Sequence, residues 1–463
     1  MTKFIKVMEL NSHAKKGVWL PLSIKLVIAM LGLGFLPTAQ AQSVSPSSVS
    51  LSEVLDSSSA SYTTQNNMAQ VIQVACPQGS NQSEFQSRCN ALVGAAQFPG
   101  STSDAVNALE QVAPAQIPSQ GVSATRTSFN LIGGRLAAIR AGATGFQVSG
   151  LSKNTLPVNL ASMSNGMGGA AGDAVSGWDK LGGFVNGNFN TGNVDSELNQ
   201  LGYNFNSGSV NFGLDYRLSD SLVLGTAFTY MRSESSFDRN GGSLDSNAYT
   251  GAFYGNYYAT ENIYFDGIAS IGGVNYESIR QIQYTLPSES VNTQAKGTPG
   301  GNQYSISLGT GYDYSVKGWT LNPYAKVNYL KLDVDSFSET GGSGWGMAFA
   351  DQTVESVTTT LGGQVSYPVS TAWGVLLPTV RGEWHHQYED SSRNIAVRFL
   401  GDTTSGMAFN TVSSAPDRNY FTVGTGISGT FAQGLSAFFN YDALLGYRSV
   451  ESHLFTLGAR MEF

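Results

Sequence analysis

The sequence predicts an all-β transmembrane barrel of 12 antiparallel strands, preceded by a small α-helical N-terminal region. Apolar and polar residues alternate over long C-terminal segments, charged residues make up only 13% of the chain, and glycines number 54. Soluble proteins carry roughly 25% charged residues. A barrel whose strands face lipid on one side and water on the other averages to neutral hydropathy, and the mean hydropathy here is −0.10.

The first 41 residues have the features of a secretion signal. Several lysines precede the apolar run Leu26 to Leu36, and Ala39-Gln40-Ala41 fits the small-x-small cleavage pattern, so we expect cleavage after Ala41. The run is shorter than the ~20 apolar residues that a membrane-spanning helix needs. Because no later stretch approaches that length, a membrane-embedded chain must cross as a barrel.

Residues 42–125 are predicted to form a short helical region with one disulfide. The stretch SDAVNALEQVAP has spaced apolar residues without alternation, and Ser103 or Asp104 is a candidate helix N-cap. The two cysteines of the chain are Cys76 and Cys89, and an even count in an exported protein predicts that they pair. No histidine or second cysteine pair lies near them, so we expect neither a metal site nor another cofactor.

Residues 126–177 are predicted to form a helix followed by a Gly/Ser-rich linker that enters the barrel. Phe129 and Leu136 share a helical stripe, from which Arg126, Arg135 and Arg140 project elsewhere. From residue 179 onward the chain has 15 Lys and Arg against 26 Asp and Glu. Basic side chains on a helix inside an acidic lumen would find ion-pair partners, whereas ordinary solvated arginines are the alternative. The candidate lumenal partners are Asp215, Asp266, Asp313, Glu383 and Asp442.

Residues 178–463 are predicted to form the barrel. Within 304–314, apolar residues at even positions alternate with Ser305, Ser307 and Asp313, which indicates a strand with one lipid-facing side. Short connections at 217–221, 259–262, 315–318, 369–373 and 431–434 alternate with long polar ones. The long connections are 191–202, 235–246, 285–300, 335–351, 391–417 and 446–452. Five short and six long connections predict twelve strands, with short turns in the periplasm and long loops outside.

Several segments resemble the barrel domain of autotransporters, the self-transporting type V secretion proteins. WDKLGGFVNGNF (178–189) resembles their first strand, VRGEWHHQYED (380–390) a late strand, and FTVGTGISGTFAQGLSAFFNYDALLG the end of the domain. RLAAIRAG (135–142) resembles the helix that precedes these barrels. The resemblance implies an outer-membrane barrel with a helix or linker in its pore. It also implies assembly by periplasmic chaperones and an insertion machinery that reads the last strand, here Phe455, Leu457, Met461 and Phe463.

The N-terminal region is small for an autotransporter passenger, and no internal repeat is visible. It is therefore expected to be either a surface module or a plug that stays in the periplasm. We expect a monomeric barrel in lipid and no nucleic-acid partner, because the exported part is acidic.

We expect the chain not to be an enzyme. The string GGSLDS (241–246) lies in a predicted barrel loop, and the N-terminal region has no histidine beyond the signal. Strand alternation places Arg381, Glu383 and His385 on the lumenal face and His386 on the other, so a lumenal polar ladder is expected. Two alternatives remain: a channel or adhesin-like barrel with functional loops 285–300, 335–351 and 391–417, and a barrel-rim hydrolase.

Overall fold

The structure is a computed structural model, and it describes residues 63–76, 83–98, 100–114, 129–137, 180–196, 201–402, 408–431 and 435–461. The predicted signal (1–41), the linker (150–177), Arg126, Arg140 and Phe463 lie outside the described residues. None of the helices within the described ranges combines the length and apolarity that a membrane-spanning helix needs.

Four helices are described in the N-terminal part. They are α1 (Thr63–Ala75), α2 (Glu84–Gln97), α3 (Thr102–Val112) and α4 (129–137). Helix α2 begins after Ser83, whose side chain accepts a hydrogen bond from the Gln86 amide at 3.2 Å. Helix α3 begins after Ser101, so neither Ser103 nor Asp104 is its N-cap. Asp104 instead lies in the first turn, where its negative charge interacts favourably with the helix dipole.

Twenty strands are described in the C-terminal part. They are β1 (Leu181–Val194), β2 (Tyr203–Ser219), β3 (Leu222–Phe237), β4 (Gly242–Tyr258), β5 (Ile263–Leu286), β6 (Glu289–Gly297), β7 (Gly300–Tyr312), β8 (Tyr314–Val316), β9 (Trp319–Val334), β10 (Phe337–Ser338), β11 (Thr340–Gly341), β12 (Met347–Phe349), β13 (Gln352–Ser366), β14 (Val369–Thr371), β15 (Gly374–Gln387), β16 (Asn394–Phe399), β17 (Phe409–Val412), β18 (Asn419–Phe431), β19 (Leu435–Leu445) and β20 (Val450–Met461). A single 3₁₀ turn, Asp238–Asn240, joins β3 to β4.

Twelve of these strands close into an antiparallel ring, which confirms the predicted fold class. The order around the ring is β1, β2, β3, β4, β5, β7, β9, β13, β15, β18, β19 and β20. Strand β20 pairs with β1 from Gly458 opposite Asn186 to Val450 opposite Val194. Because the last strand pairs with the first, the described strands form a closed ring and not a flat sheet with two exposed edges.

Side chains alternate across the barrel wall as the sequence predicts. Leu308 is 62% exposed and faces outward, whereas its neighbour Ser307 is 5% exposed and faces the lumen. Strand β2 repeats the pattern with outward Val210, Phe212 and Leu214. Apolar side chains that face out and polar ones that face in are suited to lipid outside and water inside.

The long connections contain more structure than the sequence analysis predicts. The predicted loop 235–246 shrinks to residues 238–241, because β3 and β4 continue to pair up to Phe237 opposite Gly242. Strand β5 extends beyond the barrel and forms a hairpin with β6. The loops after β9 and β15 supply a separate four-stranded sheet in the order β10, β12, β16, β17. We call the outer end of β5 together with β6, β10–β12, β16, β17 and the described residues that connect these strands the loop platform.

Helices α1–α3, here called the helical domain (63–114), pack on the loop platform. Their buried apolar residues form one continuous cluster with residues of the platform. The platform contributes Ile282, Tyr284, Leu286, Val291, Ala295, Trp345, Met347, Phe349, Ile395, Val397, Phe399 and Phe409. The platform belongs to the end of the barrel that carries the long loops, so the helical domain lies at that end.

Candidate functional site in the barrel lumen

Helix α4 lies inside the barrel, against the wall formed by β1, β3, β4 and β5. Ile132 and Leu136 are buried and share an apolar cluster with Phe184, Tyr254 and Ile268, and Phe129 packs at its margin. The same cluster includes Val223, two residues after the short turn between β2 and β3. Helix α4 therefore occupies the half of the lumen nearest the short turns.

Arg135 of α4 forms a buried ion pair with Asp215 of β2. The arginine Nε and Nη2 donate to Asp215 Oδ2 and Oδ1 at 2.6 and 2.8 Å, and the two side chains are 0% and 6% exposed. The Tyr254 hydroxyl donates to the same carboxylate at 2.9 Å, and the guanidinium carbon lies 5.3 Å from the Phe184 ring centroid. A buried ion pair stabilises only when its geometry is good and its remaining polar atoms are satisfied, as they are around this carboxylate.

Two glycines in the wall make room for the rings around this ion pair. A Cβ atom at Gly213 would lie 2.5 Å from the Phe184 ring, and one at Gly225 would lie 2.3 Å from the Tyr254 ring. Both distances are far below van der Waals contact, so a larger residue at either position would displace the ring that lies over it. The barrel wall is thus shaped to receive the helix.

A cavity of about 620 Å³ lies beside α4. Phe129, Gly133 and Leu136 border it on the helix side. Its barrel wall carries charged and polar side chains that include Asp266, Lys326, Arg381, Glu383, His385 and Asp442. The helix thus occupies one part of the lumen and leaves a polar space in another.

The lumenal ladder of β15 lines this cavity. Arg381 donates to Asp442 at 2.5 Å, and Tyr324 donates to Glu383 at 2.6 Å. The His385 Nε2 lies 3.6 Å from a Glu383 oxygen. Thr360 and Thr422 hydroxyls lie 2.9 and 3.0 Å from the two nitrogens of the same ring.

His386 lies on the opposite face of β15. Its Nδ1 is 2.9 Å from the Asn419 side chain, and its ring contacts Trp384 and Tyr388. The two histidines are therefore on different sides of the barrel wall and share no site. Within the described residues, no group of three or more His, Cys, Asp and Glu side chains is arranged to hold a metal ion.

The other residues singled out in the sequence lie apart from this site. Asp313 is buried near the short-turn end, where it accepts a hydrogen bond from Asn322 at 2.7 Å. Phe455 and Leu457 lie on β20, and Leu457 is 59% exposed on the outer face. Met461 ends that strand.

The interface between the helical domain and the loop platform has polar contacts around its apolar core. Arg88 of α2 donates to Glu289 of the platform at 2.7 Å, and beside the platform Arg239, in the turn between β3 and β4, pairs with Glu110 of α3. Burial lowers the pKa of the Arg88 guanidinium, but the hydrogen bond and charge of Glu289 outweigh it, so that pKa lies above its ordinary value. The predicted disulfide between Cys76 and Cys89 is present and joins α1 to α2, with 5.5 Å between the Cα atoms.

Arg280 of β5 connects the end of α3 to the platform. Its guanidinium donates to Glu339 at 2.6 and 3.1 Å, to the Trp345 carbonyl at 2.8 Å and to the Val112 carbonyl at 3.1 Å. Arg280 thus supplies a donor to a carbonyl at the C-terminal end of α3, where backbone acceptors lack helical partners.

Sequence reasoning missed Tyr254, Arg280, Glu339 and the platform strands. A signal for two of those strands is visible in retrospect. NIAVRF places Ile395, Val397 and Phe399 at alternating positions, and WGMAF does the same with Trp345, Met347 and Phe349. Both are period-2 patterns typical of short strands. Nothing in the sequence indicates which apolar surface covers them.

Residues 183–442, more than half of the chain, match the family described as Autotransporter beta-domain. Esterase EstA of Pseudomonas aeruginosa is 23% identical over 268 residues, which cover 56% of this chain and 40% of that protein. Outer membrane protein A of Rickettsia conorii is 26% identical over 255 residues, which cover 53% of this chain and 12% of that protein. The chain thus spans less than half the length of either relative.

Among solved structures, the translocator domain of the autotransporter NalP from Neisseria meningitidis aligns with a TM-score of 0.48 at 16% identity. The alignment covers 75% of this chain and all of that one. The family match, together with the closed ring of twelve antiparallel strands, settles the class of the protein. This chain belongs to the autotransporter beta-domain family, and its C-terminal part is an outer-membrane barrel.

Proposed function

We propose that the barrel carries its own helical domain to the cell surface and keeps it there, with helix α4 bound in the lumen. The observation that carries this proposal is the apolar core that α1–α3 share with the loop platform. Long loops of outer-membrane barrels face the exterior and short turns face the periplasm. A domain that completes its core on the long loops is therefore at the exterior, which favours export over a plug retained in the periplasm.

Helix α4 supports the same arrangement from inside the barrel. It lies near the short-turn end, bound through the Arg135–Asp215 ion pair, while the helical domain lies at the opposite end. The two described parts of the N-terminal region therefore contact opposite ends of the barrel. We infer that α4 anchors the exported segment after translocation and narrows the pore behind it.

Tags at three positions test the location of the helical domain on intact cells. One tag is inserted near Ser58, one in the long loop at 403–407 as an exterior control, and one in the short turn 259–262 as a periplasmic control. We expect antibody and protease to reach the first two tags on intact cells. They should reach the third only after the outer membrane is permeabilised. Protection of the Ser58 tag, with the loop tag accessible, would overturn the proposal.

A conducting pore is the second candidate function, and the cavity beside α4 is the observation that favours it. Its lining mixes acidic and basic groups, so small hydrated ions are the solutes that would fit.

We infer further that the barrel is monomeric. We also infer that the insertion machinery recognises its last strand through Phe455, Leu457, Met461 and Phe463.

We propose no catalytic role for this chain. The relative EstA is named as an esterase, but the matched part spans only 40% of that protein. The segment GGSLDS lies at the start of β4, where Ser243 and Ser246 pair with β3 in the barrel wall. The hydroxyls that contact His385 belong to threonines of the packed barrel wall.

A further inference from the structure

We propose that the loop platform is a preformed receptor for the helical domain, which stays bound to it without its covalent connection to α4 and the barrel. This inference rests on the proposed function but goes beyond it, because a tether alone would hold the domain without any binding surface. The argument concerns one aromatic anchor, the polar groups around it, and the bonds that hold the receptor in shape.

The anchor is Phe85, the second residue of α2. It is 2% exposed, and its ring lies 5.1 Å from the Phe399 ring and 5.8 Å edge-on from the Trp345 ring, measured between centroids. Both partners belong to the platform. A buried aromatic residue in a fully enclosed pocket is the residue type that dominates binding energy at protein interfaces.

Glycines of the platform create the space that Phe85 fills. A Cβ atom at Gly401 would lie 2.4 Å from the Phe85 Cβ, and one at Gly344 would lie 2.9 Å from the Phe85 backbone nitrogen. Gly344 also has φ +90°, a conformation that other residues rarely adopt. The platform backbone therefore approaches α2 as closely as it can, and the pocket has the shape of this side chain.

Charged groups surround the pocket and add orientation. Arg88, one turn after Phe85, donates to Glu289 at 2.7 Å and to the Ser343 carbonyl at 3.4 Å. At the other end of the domain, Arg280 of the platform donates to the Val112 carbonyl. An apolar centre with charged hydrogen bonds at its margin is the organisation of an interface between separate proteins.

The receptor side is held together by its own hydrogen bonds. Trp345 Nε1 donates to the Tyr284 hydroxyl at 2.8 Å, and that hydroxyl donates to Glu289 at 3.0 Å. Arg280 and Glu339 form a pair in which both side chains are 3% exposed, and Glu339 also accepts from the Met347 amide. None of these bonds requires the helical domain. A preorganised surface loses little conformational entropy on binding, so it binds more tightly.

The test cuts the tether in the purified full-length protein. A site for a sequence-specific protease is inserted between residues 118 and 123, the protein is cut in detergent, and size-exclusion chromatography separates bound from free domain. We expect the cut domain to co-elute with the barrel. Phe85→Ala should raise the dissociation constant between the cut helical domain and the barrel by at least about 30-fold, as is typical of aromatic residues that dominate an interface. Phe98→Ala is the matched control, since Phe98 follows the same helix but is 64% exposed.

A second variant keeps the test interpretable if Phe85→Ala unfolds the helical domain. Gly401→Leu fills the pocket from the platform side and leaves the domain sequence intact, so release in this variant reports the pocket itself. Release of the wild-type domain after cutting would overturn the receptor, and so would equal affinities of the Phe85 and Phe98 variants. A free domain combined with an accessible Ser58 tag would remove only this inference, whereas a protected tag would remove the proposed function.

Discussion

Asp215 shows at the scale of one residue how the lumen holds its helix. The carboxylate accepts two hydrogen bonds from Arg135 and one from Tyr254, in a site from which solvent is almost excluded. Removing one partner of a buried ion pair leaves an uncompensated charge, whereas replacing both with apolar residues is often tolerated. The two kinds of change therefore have different consequences, and they can be separated by mutation.

Arg135→Met should destabilise the folded barrel by about 3–5 kcal/mol, because Asp215 stays buried without its counter-ion. The double variant Arg135→Met, Asp215→Leu should recover most of that loss. Stability is measured as the temperature at which the purified barrel loses its heat-modifiable mobility in gel electrophoresis. Arg232→Met is the control, since Arg232 and Glu234 form a pair whose side chains are 57% and 58% exposed. Equal effects of the two single variants would contradict the prediction.

The sequence limits the candidate ion-pair partners of Arg135 to a few acidic residues but does not identify which of them forms the pair. Strand alternation places five acidic residues toward the lumen, and Asp215 is one of them. Selection depends on which wall α4 contacts, and that is determined by Phe184 and Tyr254 fitting over Gly213 and Gly225. Contacts between residues so far apart in the chain leave no local pattern in the sequence.

Strands were predictable at the scale of the element wherever one face meets lipid and the other meets water. Strands β7 and β9 pair over the segments whose alternation is clearest, from Gly301 opposite Val334 to Gly311 opposite Tyr324. The platform strands were missed because they are two to nine residues long and interrupted by glycines and turns. Their apolar faces are covered by helices of the same chain, so no long alternating pattern was needed to specify them.

Neighbouring positions on β7 test the lipid-facing assignment. Leu308→Arg places a charge on the outer face, where charged substitutions in barrels cost about 2–4 kcal/mol near the middle of the membrane. Ser307→Arg is the matched change one residue away, and its side chain can extend into the cavity beside α4. We expect a lower yield of heat-modifiable barrel in the membrane fraction for Leu308→Arg only. Similar losses for both variants would contradict the assignment of the two faces.

At the scale of the whole molecule, two separate contacts fix the N-terminal part to the barrel. Helix α4 binds the lumenal wall near the short turns, and the helical domain binds the platform at the opposite end. The sequence predicted a helix in the pore through a family resemblance and left the place of the domain open. That place depends on packing between the helical domain and platform residues that follow it by about 170 to 340 positions in the chain, which periodicity cannot indicate.

We expect the two contacts to differ in how far they restrict ion flow through the lumen, and bilayer conductance can separate them. Removing residues 42–114 takes away the helical domain and leaves α4, whereas removing 42–177 takes away both. If α4 is the main obstruction, the first truncation should change single-channel conductance little and the second should raise it strongly. Arg135→Glu in the full-length chain should raise conductance as well, because it sets two negative charges against each other and releases the helix. Equal conductance of the full-length protein and the 178–463 barrel would show that the helix leaves the ion path open, and the conducting-pore function would then be favoured.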